Sequence, residues 1–291
     1  MDKPAVDKLI EQRYAELPPT LQRAARYAID NPKSVALLSM RAAAAEAGLQ
    51  SSAMHRLARE LGFEGYEALR AVYRDWLAQG GASFAERATA LQTRPGKTQH
   101  LAQELALADG RNLAALLEPA ALQAVEAAAG LLGQARHIYV GGLRSLFPAA
   151  FYFNYACGMF KHNTTLLSGI AGTFADDLRH AGPEDALLIF SYEPYARDTV
   201  SAVRFAHGRG LRIVSVTDSA VSPIAAPATA LILVSNATPS LFPSVVPALA
   251  VAQTLVALLV ASGGRANLRE IEKSEAQLQE FAVYLKDSRP R

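Results

Sequence analysis

Cysteine is almost missing from this chain. Cys157 stands alone among 291 residues, which excludes an internal disulfide and suits a reducing cytoplasm. A charge excess is missing too: 29 Lys and Arg face 27 Asp and Glu, a net charge of +2. Any grip on nucleic acid therefore has to come from a local patch. Even the first 78 residues are near neutral, with 11 basic against 10 acidic side chains. No G-x-G-x-x-G or Walker sequence occurs. The six histidines (His55, His100, His137, His162, His180 and His207) show no ligand spacing, so neither a metal nor another cofactor is expected.

Membrane signals are also thin. The opening "MDKPAVDKLIEQRYAEL" carries acidic residues and no apolar core, unlike a signal peptide. One apolar run, Val245 to Ala261, approaches spanning length. Pro247, Gln253 and Thr254 interrupt it and no Lys/Arg cluster flanks it, so it reads as a helix buried between layers or subunits. The expected location is the cytoplasm, with no membrane partner.

What is present divides the chain in two. Residues 1–78 read as all helix. "LPPTLQRAARYAIDN" starts with Thr20 as cap and stops before Pro32. Ser39 caps an Ala-rich helix that Gly48 closes. A third helix runs from Ser51 and a fourth covers "YEALRAVYRDWLAQ". Residues 79–97, with Gly80-Gly81 and Pro95-Gly96, read as a connector, partly helical. From residue 98 to 291, two helices precede an alternation of strands and helices. The strands "HIYVGG", "TTLLSG", "DALLIFS", "RIVSVTD" and "TALILVS" are continuous apolar runs, as in a parallel sheet covered on both faces. Helices are expected from Ser145 to Phe160, around "TFADDLRHA", over "ARDTVSAVRFAHGRG" and, briefly, near "SPIAAPA". The predicted architecture is an all-α domain followed by a doubly wound α/β domain with a five-stranded parallel sheet of flavodoxin-like order.

The third helix has two faces. Met54, Leu57, Ala58 and Leu61 form one apolar stripe at helical period. Ser52, His55, Arg56 and Arg59 lie opposite, and Gln50 and Ser51 precede them. Guanidinium, imidazole and hydroxyl groups are the ones that bond base edges and phosphates. Spacing alone reads equally as the solvated side of an ordinary helical domain.

In the α/β part, ligands are expected beyond the carboxyl ends of neighbouring strands where the winding reverses. That selects the exits of strands one and three, Gly141, Gly142, Arg144 and Ser145 on one side and Ser191, Glu193, Tyr195 and Arg197 on the other. Both lead into helices, whose free N–H groups favour an anion, and Ser145 is placed to cap one of them. The two glycines alone read as a strand-ending turn.

The order of residues adds a resemblance. "LQRAARYAIDNPKSVALLSMRAAAAEAGLQSSAMHRLARELGFEGYEALR" resembles the N-terminal helix-turn-helix domain of the RpiR family of bacterial regulators. The shared features are the helix ending in "NP", the Ala-rich helix closing in "AGL", Arg56 followed by "LARELGF", and the "GYEALR" continuation. Gln50 stands where the family begins its recognition helix with Ser, so Ser51 is expected to take the cap. Residues 137–235 resemble a SIS (sugar isomerase) domain, the family's usual effector domain. Gly141 and Ser145 keep the ends of its G-x-G-x-S loop, with Leu143 at the second Gly, and Asp218 fits its strand-four exit. The Ser-x-Ser-Gly-x-Thr cradle of phosphosugar-binding members is altered to Ser191, Glu193, Pro194 and Ala196.

The resemblance implies a non-enzymatic transcription regulator. Gln50, Ser51, Ser52, His55, Arg56 and Arg59 would contact a double-stranded DNA operator, and the crevice residues would hold a sugar- or sugar-phosphate-like effector. A homodimer or tetramer would carry both. Two alternatives stay open: an aldose–ketose isomerase with an accessory helical domain, and a regulator whose altered SIS domain only dimerises.

Overall fold

The computed structural model describes residues 3–77, 84–92, 100–220 and 222–285. It divides into two compact units, residues 1–105 with 237–241, and residues 106–236 with 242–291. Residues 79–83 and 93–97 of the expected connector lie outside the described residues, whereas its middle, Phe84–Gln92, is helical.

The first unit holds helices α1 (Lys3–Arg13), α2 (Pro19–Asp30), α3 (Pro32–Leu37), α4 (Met40–Glu46), α5 (Ser51–Glu60), α6 (Tyr66–Trp76) and α7 (Phe84–Gln92). Ile10, Leu21, Val35, Met54, Leu57, Leu69 and Tyr73 form its centre, all fully or almost fully buried. Ser39 caps α4 by accepting the Ala42 N–H at 3.3 Å. Thr20 does not cap α2. Pro18 holds that position in extended backbone and Pro19 starts the helix, because a fixed φ near −65° suits the first turn. Helix α2 stops before Pro32 as expected, at Asp30; Asn31 turns the chain at φ −128°, ψ 54°, and Pro32 opens α3.

The second unit begins within α8 (Leu101–Ala115) and continues through α9 (Pro119–Gly133). Then come β1 (Ile138–Gly142), α10 (Phe147–Cys157), β2 (Thr164–Leu166), β3 (Ala186–Ser191), α11 (Arg197–Gly208), β4 (Arg212–Thr217), β5 (Ala230–Leu233), α12 (Val246–Ser262) and α13 (Gly264–Glu280). The five strands are all parallel, in the order β2-β1-β3-β4-β5, a flavodoxin-like winding; the apolar runs located the strands but not their order. Alternate strand residues serve opposite faces. Ile138, Val140, Leu188, Phe190 and Val216 pack against α9, α10 and α12, while Tyr139, Leu187, Ile189 and Ile213 pack against α11. Cys157 is buried in the first of these cores, and burial pushes its thiol up to about 12, so it stays protonated and unreactive.

Two expected helices are absent. The "TFADDLRHA" region forms short 3₁₀ turns at Ile170–Gly172 and Asp176–Leu178. Gly169, Ala171 and Gly172 all have positive φ, and an α-helix does not continue through left-handed residues. The "SPIAAPA" region forms successive turns, with Ala225 N–H on Ser222 C=O and Ala228 N–H on Ala225 C=O. Pro223 and Pro227 supply no N–H for a helical ladder. Among the described residues no single helix is long and apolar enough to cross a membrane. The pairs α8–α9 and α12–α13 reach that length only together, bent by 72° and 113°.

At the amino ends of the strands the fully buried Asp185 carboxylate accepts two bonds from Arg136, at 2.9 and 2.7 Å, and the Gly182 N–H at 2.9 Å. The Arg136 hydrogen bonds hold its pKa below the usual carboxylate range against the opposing effect of burial. Asp185→Ala should cost about 2 kcal/mol near neutral pH. The depressed folded-state value makes this contribution complete above about pH 4 and lost as pH falls through that value. Urea unfolding of both forms from pH 7 to pH 3 checks this: the gap should narrow on acidification, and a constant gap would contradict it.

Candidate functional site

Helix α5 is anchored by one face. Ala53, Met54, Leu57 and Ala58 are buried, and α5 packs against α2, α4 and α6. Ser52, His55, Arg56 and Arg59 are exposed on the other side, with Gln50 exposed and Ser51 half-buried at its start. The turn before it depends on Gly48, whose φ of +64° brings the Leu49 N–H back to the Ala44 C=O at 2.8 Å. Arg23 donates to the Gly48 C=O at 3.2 Å, bracing the turn from α2. Ser51 does not cap the helix. Gln50 holds the extended cap conformation, its side chain makes no cap bond, and Ser51 is the first helical residue.

The exposed side chains differ in freedom. Arg59 reaches the Glu64 C=O at 3.5 Å. His55 lies against Gly65, where an added Cβ would sit 3.0 Å from its ring. Arg56 makes no hydrogen bond or ion pair among the described residues, leaving five guanidinium donors for an outside acceptor.

In the second unit, β1 pairs directly with β3, with Gly142 opposite Phe190, so their carboxyl ends are adjacent. The β1 exit is compact because of its glycines. A Cβ on Gly142 would lie 2.7 Å from the Leu146 carbonyl oxygen and 3.2 Å from the Ala150 methyl, and one on Gly141 would meet Ile189 at 2.7 Å. Their lack of side chain lets the 143–146 turn fold back over the strand end. Arg144 opens a 3₁₀ turn at φ +56°, a conformation costing an L-residue roughly 1–2 kcal/mol. Arg144 and Ser145 are exposed. Ser145 makes no cap bond, because the 3₁₀ turn displaces the start of α10 to Phe147, with Pro148 in its first turn.

At the β3 exit, Ser191 and Tyr192 are buried, Glu193 and Arg197 are exposed and Tyr195 is half-buried. The Glu193–Pro194 peptide is cis. The group that organises this loop is Asp218, just beyond β4, which the sequence marked at the strand-four exit but not among the eight crevice residues. Its Oδ2 accepts the Glu193 N–H at 3.0 Å and the Asn236 amide at 3.4 Å, and its Oδ1 accepts the Tyr195 hydroxyl at 3.0 Å and the Thr217 hydroxyl at 3.3 Å. Burial, and secondarily the Asp218 charge, raise the Tyr195 pKa, so the phenol stays a donor throughout the ordinary pH range. A carboxylate at a strand's carboxyl end, next to two other exits, was a legible signal; that it faced inward to the loop was not.

The two strand exits carry charges of both signs: Arg144 at the β1 exit, and Glu193, Arg197 and, in the first turn of α11, Asp198 at the β3 exit, with Asp218 just beyond β4. Asp198 already complements the α11 dipole. His180 and His207 are elsewhere, the first in the segment leading into β3 and the second in the last turn of α11. No cluster of three or more metal-ligating side chains occurs among the described residues.

The sequence profile of the helix-turn-helix domain, rpiR family, matches residues 5–80, and that of the SIS domain matches residues 131–261. A helix-turn-helix domain joined to a SIS domain defines a class of transcription regulator. The chain belongs to the RpiR family of that class. It is 25% identical over 225 residues to the HTH-type transcriptional regulator HexR of Pseudomonas aeruginosa, covering 76% of this chain and 75% of that protein. The sugar isomerase domain of an RpiR transcription factor from Sphaerobacter thermophilus matches with a TM-score of 0.53 and 28% identity, over 64% of this chain and all of that one. The Vibrio vulnificus NanR protein, solved with ManNAc-6P, matches with a TM-score of 0.56 and 16% identity, over 96% of this chain and all of that one. At that identity the likeness concerns fold.

Gly142→Ala should cost about 1–3 kcal/mol, since the nearest obstacle is a backbone carbonyl that cannot turn aside. Gly130→Ala, in α9 with nothing within 4 Å of the added methyl, should instead stabilise by about 0.5–1 kcal/mol. Denaturant unfolding of the two variants should therefore diverge in sign. Equal effects would show that the β1 exit is not sterically set by Gly142.

Proposed function

We propose that this regulator reads an operator through α5 and senses a small metabolite in the crevice between the β1 and β3 exits. The observation that carries the reading is the polarity of α5: a fully buried stripe on one side and, on the other, Gln50, Ser51, Ser52, His55, Arg56 and Arg59 at a helix-turn-helix position. Arg56 and Arg59 are the main contacts, bidentate to guanine or to phosphate. The chain acts as a homodimer or higher oligomer, because two reader helices must match half-sites about one helical turn apart, or a multiple of it. The exposed apolar side chains of α13 and its end, Leu268, Phe281 and Tyr284, together with the outer side of α12, favour these helices as the subunit contact.

The effector is a sugar- or sugar-phosphate-like metabolite held by Gly141, Gly142, Arg144, Ser145, Ser191, Glu193, Tyr195 and Arg197. Two findings support the fold-level part of this reading: the SIS match and the sugar-phosphate complex of NanR. The altered second loop bears on phosphate. A carboxylate at about 4 Å from a phosphate oxygen costs roughly 4 kcal/mol per charge pair at an effective dielectric near 20, which Arg144 and Arg197 would have to offset. A hydroxylated or amine-bearing metabolite on Glu193 carries no such cost. Effector binding shifts the population between two arrangements of the paired chains and so changes operator affinity.

The reading as a regulator rather than an isomerase is favoured by the crevice itself. Isomerisation needs a base near neutral pH beside the sugar; Glu193 is in a suitable loop, but Asp218 is spent on four donors and His180 and His207 lie on other segments, so no paired acid and base stands beside it. A SIS domain that only dimerises is favoured by one observation, the Glu193 and Pro194 replacements.

Two measurements test these readings. Arg56→Ala and Arg59→Ala should each weaken operator binding by about 1–3 kcal/mol in a fluorescence titration, or flatten its salt dependence by about one unit if the contact is to phosphate. Unchanged binding in both would remove α5 as the reader. Across a metabolite panel, Glu193→Gln should increase thermal stabilisation by hexose phosphates. Strong stabilisation of the parent protein that Glu193→Gln leaves unaltered would refute the role given to Glu193, and no stabilisation by any metabolite would favour the dimerisation-only domain.

A further inference from the structure

In the first unit, the "YEALR" stretch opens α6 and turns two polar side chains back onto α3. Tyr66 and Arg70 stand four residues apart, one above the other on the same side of the helix. The Tyr66 hydroxyl donates to the Val35 C=O at 3.3 Å. Arg70 donates through Nε to the Ala36 C=O at 3.2 Å and through Nη2 to the Leu37 C=O at 2.9 Å. These are the last three carbonyls of α3, the kind that a helix leaves without an internal partner. Six residues make too short a helix to hold its own end, and α6 holds it instead. Burial pushes the Tyr66 phenol up to about 12, so it remains a donor. The third Arg70 nitrogen, Nη1, bonds both oxygens of Glu67, at 3.3 and 3.2 Å, and only 13% of the side chain is exposed. This guanidinium is spent inside the protein.

The place of these bonds in the chain gives them leverage. After Leu37 a single residue, Leu38, leads to Ser39, the cap of α4, and α4 turns at Gly48 into α5. The same α6 also packs on α5, with Leu69 and Tyr73 buried in one core with Met54 and Leu57. One helix therefore grips the α4–α5 pair at both ends, by polar bonds just before α4 and by apolar packing on α5. Two further arginines brace the remaining junctions. Arg23 of α2 donates to the Gly48 C=O at 3.2 Å, and Arg13, the last residue of α1, to the Glu60 C=O at the end of α5, at 2.5 Å. Arg56, by contrast, bonds nothing among the described residues.

We propose that Tyr66 and Arg70 are positioning residues for operator recognition: by tying the end of α3 to α6 they set the angle at which α4 and α5 meet the duplex, and Arg70 itself bonds no nucleic acid. The proposal rests on the reading of α5 as the operator reader. Its physical content is a difference in tolerance. Hydrogen bonds to base edges weaken steeply with misalignment, whereas non-specific binding is carried by charge at the phosphates and carries no sequence information. A loosened α3–α4 junction therefore costs sequence preference and spares general affinity.

Fluorescence titration of the full chain against two duplexes tests this. One duplex is recovered by selecting the parent protein on a randomised library, and the other is of unrelated sequence. Arg70→Ala should weaken binding to the selected duplex about tenfold and change binding to the unrelated one by less than about twofold. Its salt dependence should keep the parent slope. Arg70→Lys keeps the charge but not the fork that spans two carbonyls, so it should lose affinity as Arg70→Ala does. Tyr66→Phe should act in the same direction, more weakly. If Arg70→Ala does not fold, Arg70→Gln, which keeps a donor for one carbonyl, takes its place. Parent affinity in the Arg70 variant overturns the proposal. So does rescue by Arg70→Lys, or a slope lower by about one, since either marks a phosphate contact. Equal losses on both duplexes overturn it as well, because they mark a merely structural role. Arg56→Ala in the same titration separates the two readings. If it weakens binding and the Arg70 variant does not, positioning fails and α5 remains the reader; a parent chain that selects no duplex overturns both.

Discussion

The second unit's candidate site depends on a single carboxylate. Asp218 stands just past the end of β4 and gathers four donors: its neighbour Thr217, two groups of the β3 exit loop and the amide that follows β5. A half-buried carboxylate with one or two bonds would lose more solvation than it regains. With four donors it is satisfied, and three otherwise independent strand exits become one framework. Without it, the Glu193–Tyr195 loop would have a helix on one side, a strand on the other and little to hold its middle.

That framework exists because of winding order. Parallel strands placed 2-1-3-4-5 bring the β1 and β3 carboxyl ends side by side and leave β4 and β5 next in line. The glycines at the end of β1 allow the 143–146 turn to lie close over the strand, and Arg144 accepts a left-handed backbone to make that turn. Non-glycine residues held in sparsely populated backbone are common at ligand clamps, and this one is exposed at the β1 exit. In the helical unit the equivalent constraint is simpler. One buried stripe of α5, wedged against α2, α4 and α6, orients every side chain on the opposite face.

Where sequence reading fell short, the physical reasons are local. Periodicity located α5, the apolar runs located all five strands, and the stop before Pro32 was placed within one residue. Caps were less legible, because they depend on backbone angles: Pro18 and Gln50 took positions assigned to Thr20 and Ser51, and Ser145 was left outside a cap by the 3₁₀ turn. The "TFADDLRHA" segment has helix-forming residues, but three left-handed residues before it divert the chain into short turns. Tyr195 was legible as a residue of the β3 exit; its engagement with Asp218 was not, since the two are 23 residues apart.

The sequence alone determined what repeats at short range: the two-faced helix α5, the buried parallel strands and the order of elements that makes a doubly wound sheet. These follow from burial patterns with periods of 3.6 and 2, which need no distant partner to be recognised. Only the tertiary structure decided which distant groups meet. It joined Asp218 to Glu193, Tyr195 and Asn236, and it assigned residues 237–241 to the helical unit although the chain on both sides belongs to the other. Such contacts are set by where whole elements pack, and no local pattern encodes the distance between them.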